Sequence, residues 1–156
     1  AIPIVGYNYG DKKYSRVQQT WKTLLPTGAV IALCGTIIFW CFPGQLLQLF
    51  SASQEMLTLG IPALRIISIF FVLAAVTILC GYFSSGLGNG IINMINAAIR
   101  QLILLVPCLW IFIKFSGISH GWYAFWIAEI VACIYSYCMS HKLLKTISTY
   151  RLEVKQ

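Results

Sequence analysis

Four long apolar runs separated by short polar breaks dominate the chain. They cover residues 23–42, 61–83, 92–115 and 121–140. A helix that crosses the hydrocarbon core of a bilayer needs about 20 apolar residues, whereas a membrane β-strand alternates apolar and polar residues over about ten. Each run is continuous and has the length of a helix. The pattern therefore predicts an all-α, polytopic membrane bundle with four transmembrane helices.

Glycine and proline punctuate the breaks between these runs, as expected where helices end. The stretches concerned are Pro43-Gly44, then Gly86, Gly88 and Gly90, and finally Ser116-Gly117. Residues 1–10 are predicted to form the end of a fifth helix that starts upstream of Ala1. We therefore expect a fragment of a longer protein.

The composition agrees with a lipid environment. The 156 residues are 59% hydrophobic and 10% charged, and the mean hydropathy is +0.81. A soluble domain of this length cannot hide that much apolar surface from water. Although the net charge is +7, its clustering between runs indicates membrane orientation, and we expect no nucleic-acid partner.

The basic residues cluster before the first run and after the fourth. An even number of crossings places both clusters on one side, and the positive-inside rule makes that side the cytoplasm. We therefore expect a multi-pass protein of the cell membrane with its opening loop and its tail, residues 141–156, in the cytoplasm. The clusters comprise Lys12, Lys13, Arg16 and Lys22, and Lys142, Lys145, Arg151 and Lys155.

The sequence predicts neither catalysis nor a resident metal or cofactor. The six cysteines include no C-x-x-C pair, and the two histidines have no metal-ligand spacing with them. Four acidic residues in the whole chain leave little for general acid–base chemistry. We expect a protein that is not an enzyme.

Three charged residues lie inside the apolar runs and away from their ends, where they are costly and tend to face cavities or partners. They are Arg65, Arg100 and Glu129. Arg65 and Glu129 enter from the outer side at similar depths, so we expect them to approach each other, with Arg100 too far from Glu129 for contact. Glu129 then either exchanges a proton or cation or forms an architectural buried pair, and the architectural role is favoured.

Two further groups of residues are candidates for a substrate or ion pathway. Asn93, Asn96 and Arg100 share one helical stripe, which could line the inner mouth of a cavity or bind neighbouring helices. Trp126 lies one turn before Glu129, and an aromatic face beside a carboxylate suits an organic cation.

The most distinctive stretch is GYNYGDKKYSRV, residues 6–17, which is followed by PALRI and SGLGNG. Gly6 and Gly10 have the small-xxx-small spacing that permits close helix packing or a turn. In this order the three stretches resemble the C-terminal lobe of multidrug and toxic compound extrusion (MATE) transporters. The matching motif positions are Gly6, Tyr7, Asn8 and Gly10 in the first block and Gly86 and Gly88 in the glycine-rich turn. Asn89 stands where the family often has aspartate.

The resemblance implies part of a twelve-helix, two-lobe transporter whose upstream helices are absent from this sequence. The four runs would be helices nine to twelve. The intact protein would export organic cations, drugs or other toxic compounds in exchange for Na⁺ or H⁺ by alternating access, with the lipid bilayer and the upstream helices as its partners. A lipid-linked oligosaccharide flippase and a non-transporting membrane scaffold are the alternatives.

Overall fold

The computed structural model describes residues 1–153, with the side chains at 116, 118, 119 and 150–153 left out. Within that range the regular elements are helical, which confirms the all-α prediction. In chain order they are α1 (Ile2–Gly10), α2 (Tyr14–Cys41), α3 (Pro43–Gln48), α4 (Gln54–Ser68), α5 (Phe71–Gly86), α6 (Gly90–Ala98), a π-helical segment (Ile99–Leu105), α7 (Val106–Ser116), α8 (Ile118–Gly121) and α9 (Ala124–Glu153).

The charged stretch after α1 forms a tight turn into α2. The Lys13 amide donates to the Asn8 carbonyl oxygen at 2.8 Å, and Lys12 takes a positive φ of 56°. The Lys13 ammonium binds the Asp11 carboxylate at 2.9 Å, and this hydrogen bond lowers the pKa of Asp11. The motif thus reverses the chain and leads directly into a long apolar helix.

The predicted run 61–83 is not one straight helix, which corrects the sequence-based picture. It is divided between α4 and α5, which meet at Ile69 and Phe70 with a bend of 55°. The Ser53 hydroxyl starts α4 by accepting the Met56 amide. Helix α4 therefore begins in the stretch between the first two apolar runs, and α3 lies there too.

The third run is one continuous helical stretch from Gly90 to Ser116, widened in its middle by the π-helical segment. Pro107 is the second residue of α7, two positions after the end of this segment. Because proline has no amide hydrogen and its ring crowds the preceding turn, a wider turn accommodates it without breaking the helix.

Two helical stretches of the described chain are long and apolar enough to cross a membrane: Tyr14–Cys41 and Gly90–Phe115. The bent pair α4–α5 makes a third if it counts as one span. Helix α9 is not among them, although it continues for 30 residues to Glu153 and so includes most of the predicted tail. Four crossings stay a prediction.

Helix α5 is the centre of the bundle, since α1, α2, α6 and α9 all pack against it. A buried cluster joins α1, α2, α5 and α9 at the end that carries the motif turn. Its members are Val5, Val17, Phe83, Leu87 and Ile147, with the Trp21 ring 4.6 Å from the Phe83 ring. This cluster fixes the relative positions of the helices that form the polar site.

Candidate functional site

A buried ion pair joins the π-helical segment to α9. The Arg100 Nη2 atom lies 2.6 Å from the Glu129 Oε1 atom, and the Glu129 side chain is only 7% exposed. The Glu129 Oε2 atom is buried without a hydrogen-bond partner. Arg100 therefore neutralises the charge of Glu129, and the Oε2 atom is available to another hydrogen-bond donor.

The sequence-based pairing of Glu129 with Arg65 was wrong. The Arg65 Nε atom donates to the Trp40 carbonyl oxygen at 3.3 Å, at the far end of α2, and the side chain is exposed. Arg100, which we expected to lie too far away, is the actual partner. The pairing of Glu129 depends on the bend between α4 and α5 and on the direction in which each side chain points around its helix. The depth of a residue in the membrane reveals neither.

Trp126 caps the break between α4 and α5. Its Nε1 atom donates to the Ile66 carbonyl oxygen at 3.1 Å, and its ring lies 5.1 Å from that of Phe70. A helix that ends inside an apolar bundle leaves carbonyl groups that need donors. The Thr36 hydroxyl lies 3.0 Å from the Ser68 carbonyl oxygen and equally far from the Ala32 carbonyl oxygen in its own helix, so its one hydrogen is shared between them. Trp126 therefore stabilises the break between α4 and α5 next to the ion pair.

Aromatic rings enclose a small cavity beside the ion pair. Its volume is about 110 Å³. It lies between the α4–α5 break, the π-helical segment and α9. Irregular backbone in a membrane bundle is expected where it is buried or lines a cavity. The lining residues are Ile67, Phe70, Phe71, Ala74, Arg100, Phe125 and Glu129.

A row of buried polar side chains continues from the ion pair toward the motif turn; we call it the polar seam. The Ser84 and Ser140 hydroxyls lie 3.2 Å apart, and Ser140 also donates to the Cys80 carbonyl oxygen at 3.1 Å. The Asn96 Oδ1 and Ser136 Oγ atoms are buried without a partner. The polar seam consists of Thr77, Ser84, Asn96, Ser136 and Ser140.

Sequence reasoning identified Asn93 and Asn96 but missed the hydroxyls that oppose them. Asn93 fills the space beside Gly81, where a Cβ atom would overlap its Oδ1 atom. The signal for the others was the spacing of serine in α9, at 136 and 140, seven and eleven residues after Glu129. These positions share a helical face with Glu129.

Two motif glycines, Gly6 and Gly86, let α1 pack closely against α5, and neither contacts the ion pair. A Cβ atom on Gly6 would lie 3.3 Å from the Gly86 carbonyl oxygen, and one on Gly86 would lie 2.8 Å from the Val5 Cβ atom. Gly88 has a φ of +86° in the turn after α5. Asn8 is buried and its Nδ2 atom donates to the Ile4 carbonyl oxygen, whereas Tyr7 is exposed. Gly10 has open space around it.

The chain matches a protein-family model in sequence and several solved transporter structures in fold. The family model MatE matches residues 1–111. The Vibrio cholerae MATE transporter VcmN, in its bent form, superposes with a TM-score of 0.84 and 20% identity over 96% of this chain and 34% of its own. An inward-facing multidrug resistance MATE family transporter of the MOP superfamily gives a TM-score of 0.85 and 21% identity over 95% of this chain and 35% of its own.

A MOP superfamily transporter from Pyrococcus furiosus gives a TM-score of 0.83 with 21% identity, covering 94% of this chain and 34% of its own. No curated protein matches the sequence. The chain spans about a third of the length of these solved transporters. Because the MatE match extends over more than half of the residues, the chain belongs to the MatE family of membrane transporters and is not an enzyme.

Proposed function

We propose that this chain forms part of a secondary active antiporter that exports organic cations, drugs or other toxic compounds in exchange for Na⁺ or H⁺. Membership of the MatE family makes it part of a membrane transporter. The observation that carries the finer proposal is the buried Glu129 carboxylate with one unpartnered oxygen, set beside an aromatic cavity. Ionisable groups inside a membrane bundle mark ion and substrate pathways by default.

In the proposed two-lobe mechanism, this chain forms one wall of the transport path. Alternating access is a rocking of one helical bundle against another around a central site. Many large apolar side chains on α2 are exposed, including Ile31, Ile37 and Trp40, so this helix is available to lipid or to the upstream helices of the intact protein. The bilayer and those upstream helices are the partners we propose.

Efflux of a cationic dye by the full-length protein tests this function. Cells or vesicles that contain the protein should expel ethidium faster than matched vesicles without it, with a dependence on the Na⁺ or the pH gradient. Glu129→Gln should lower this efflux. The matched control is Glu55→Gln, because Glu55 is exposed in the first turn of α4. A well-inserted protein that expels no dye in either gradient would contradict the proposal.

A further inference from the structure

The cavity beside Glu129 restricts what can bind there. Among the side chains that line it, Glu129 is the only one with oxygen atoms, and the others are aliphatic, aromatic or the Arg100 guanidinium. An alkali cation must replace its hydration shell with several oxygen ligands. One carboxylate that is already paired with an arginine does not provide them, so the side chains of this cavity do not suit Na⁺.

A drug-sized cation does not fit either. Sites for drug-sized ligands have volumes of about 300–1,000 Å³, and this cavity has about 110 Å³. The aromatic walls of Phe70, Phe71 and Phe125 therefore insulate the ion pair instead of holding a substrate. Any role for Glu129 in transport must use a smaller species.

Water fits the cavity in size and in chemistry. At a share of about 30 Å³ for each molecule, the volume of about 110 Å³ suits three to four waters. Arginine carries five N–H donors, so Arg100 retains donors beyond the one that faces Glu129. The terminal torsion of a glutamate is broad, and a small rotation therefore turns the unpartnered Oε2 atom toward the cavity.

The polar seam holds further buried polar groups on the motif-turn side of this cavity. Glu129 and Ser136 lie on one face of α9, and Asn96 lies one turn before Arg100 on the facing helix. The Asn96 Oδ1 and Ser136 Oγ atoms have no partner, and buried polar groups of this kind are commonly satisfied by internal water. The seam ends at the hydroxyls of Ser84 and Ser140.

We propose that Glu129 is a proton-exchange site, hydrated through the cavity and the polar seam. The inference rests on the proposed antiport function and assigns it the proton at this site. In the protonation step a hydronium ion in the cavity transfers its proton to a Glu129 oxygen. An O–H bond forms, a water molecule is left behind, and the ionic contact with Arg100 is broken.

The charged neighbours of Glu129 favour two states of the site, one with the ion pair formed and one with it broken. Arg100 loses its counter-charge when Glu129 is protonated, and at 24% exposure its side chain has room to move. Within the described chain Arg65, on α4, is held at Trp40. The other titratable groups with described side chains on α4, α5 and α9 are Glu55, Cys80, Tyr82, Cys133, Tyr135, Tyr137, Cys138, His141, Lys142 and Lys145. The π-helical segment carries Arg100, and such segments frequently occur at functional sites.

Transport by the full-length protein in proteoliposomes tests the proposal through two measurements on one dye. We expect a pH gradient, and not a Na⁺ gradient, to drive dye accumulation in the wild type. Glu129→Gln should reduce pH-driven accumulation by about tenfold or more and leave gradient-free dye exchange near the wild-type rate. Glu55→Gln should change neither. A purely structural role for Glu129 would lower both activities together.

Two further variants keep the test decisive if Glu129→Gln fails to fold. Ser136→Ala and Asn96→Ala leave the ion pair intact and remove polar atoms of the seam, so they should slow pH-driven accumulation severalfold with little effect on exchange. Accumulation driven by Na⁺, or full pH-driven accumulation in these variants, would overturn the inference while leaving the antiporter intact. A wild type that moves no dye in any mode would contradict the proposed function itself, and the inference with it.

Discussion

At the residue scale, Arg65 and Arg100 show why depth in the membrane does not identify a partner. Arg100 and Glu129 lie similarly far along their apolar runs, but counted from opposite faces. At about 1.5 Å rise per residue each is about 12 Å deep in a core of about 30 Å. The remaining gap of about 6 Å is within the reach of an arginine side chain. The expectation that Arg100 lies too far from Glu129 was therefore wrong already on depth, and the packing of α9 against the π-helical segment brings Arg100 to Glu129.

The contact between Gly86 and Val5 gives a prediction for a single residue. Gly86→Ala would place a Cβ atom 2.8 Å from the Val5 Cβ atom. Overpacking of a well-filled core typically costs about 1–3 kcal/mol. We expect the variant to lower the free energy of unfolding of the full-length protein by an amount in this range, measured by denaturant titration in detergent.

Gly10→Ala is the matched control for this variant, since nothing lies within 4 Å of the added atom. It should be neutral or slightly stabilising, because alanine restricts the unfolded chain more than glycine does. Equal destabilisation by the two variants would show that α1 does not pack against α5 at Gly86.

At the element scale, the sequence predicted where the helices lie but not where they are interrupted. Continuous apolar runs and glycine breaks predicted helical segments close to α2, α6–α7 and α9. No glycine or proline marks the break at Ile69 and Phe70, so the run appeared uninterrupted. That break depends on donors from other helices, Trp126 and Thr36, which satisfy carbonyl groups at the end of α4. Such contacts exist only after the helices have packed.

The Trp126 hydrogen bond makes the capping argument testable. Trp126→Phe keeps an aromatic ring next to Phe70 and removes the donor to the Ile66 carbonyl oxygen. An orphaned buried carbonyl costs about 1–3 kcal/mol. We expect a loss of stability of that size in thermal unfolding of the full-length protein.

Trp110→Phe provides the comparison, because Trp110 is 61% exposed. This control should unfold within a few degrees of the wild type. If the two substitutions destabilise the protein equally, the hydrogen bond does not hold the break between α4 and α5.

At the scale of the whole molecule, the basic ends of the chain predict its orientation. Lys12 lies in the turn before α2, and Lys145 lies on the exposed surface in the second half of α9. We expect both on the cytoplasmic face. Lys12→Cys and Lys145→Cys in a cysteine-free full-length protein should both react with a membrane-impermeant thiol reagent only in inverted vesicles. Reaction from opposite faces would exclude an even number of crossings between them.

The ion pair between Arg100 and Glu129 links the third apolar run to the fourth inside the bundle, and the account of the site depends on it. A double-mutant cycle on the full-length protein tests it directly. Removing one partner of a buried pair typically costs about 3–5 kcal/mol, because the other charge is left uncompensated. Arg100→Gln and Glu129→Gln should each destabilise the protein by about this much, and the double variant should lose much less than their sum. Strict additivity in this cycle, or a coupling of Glu129 to Arg65 instead, would contradict the account.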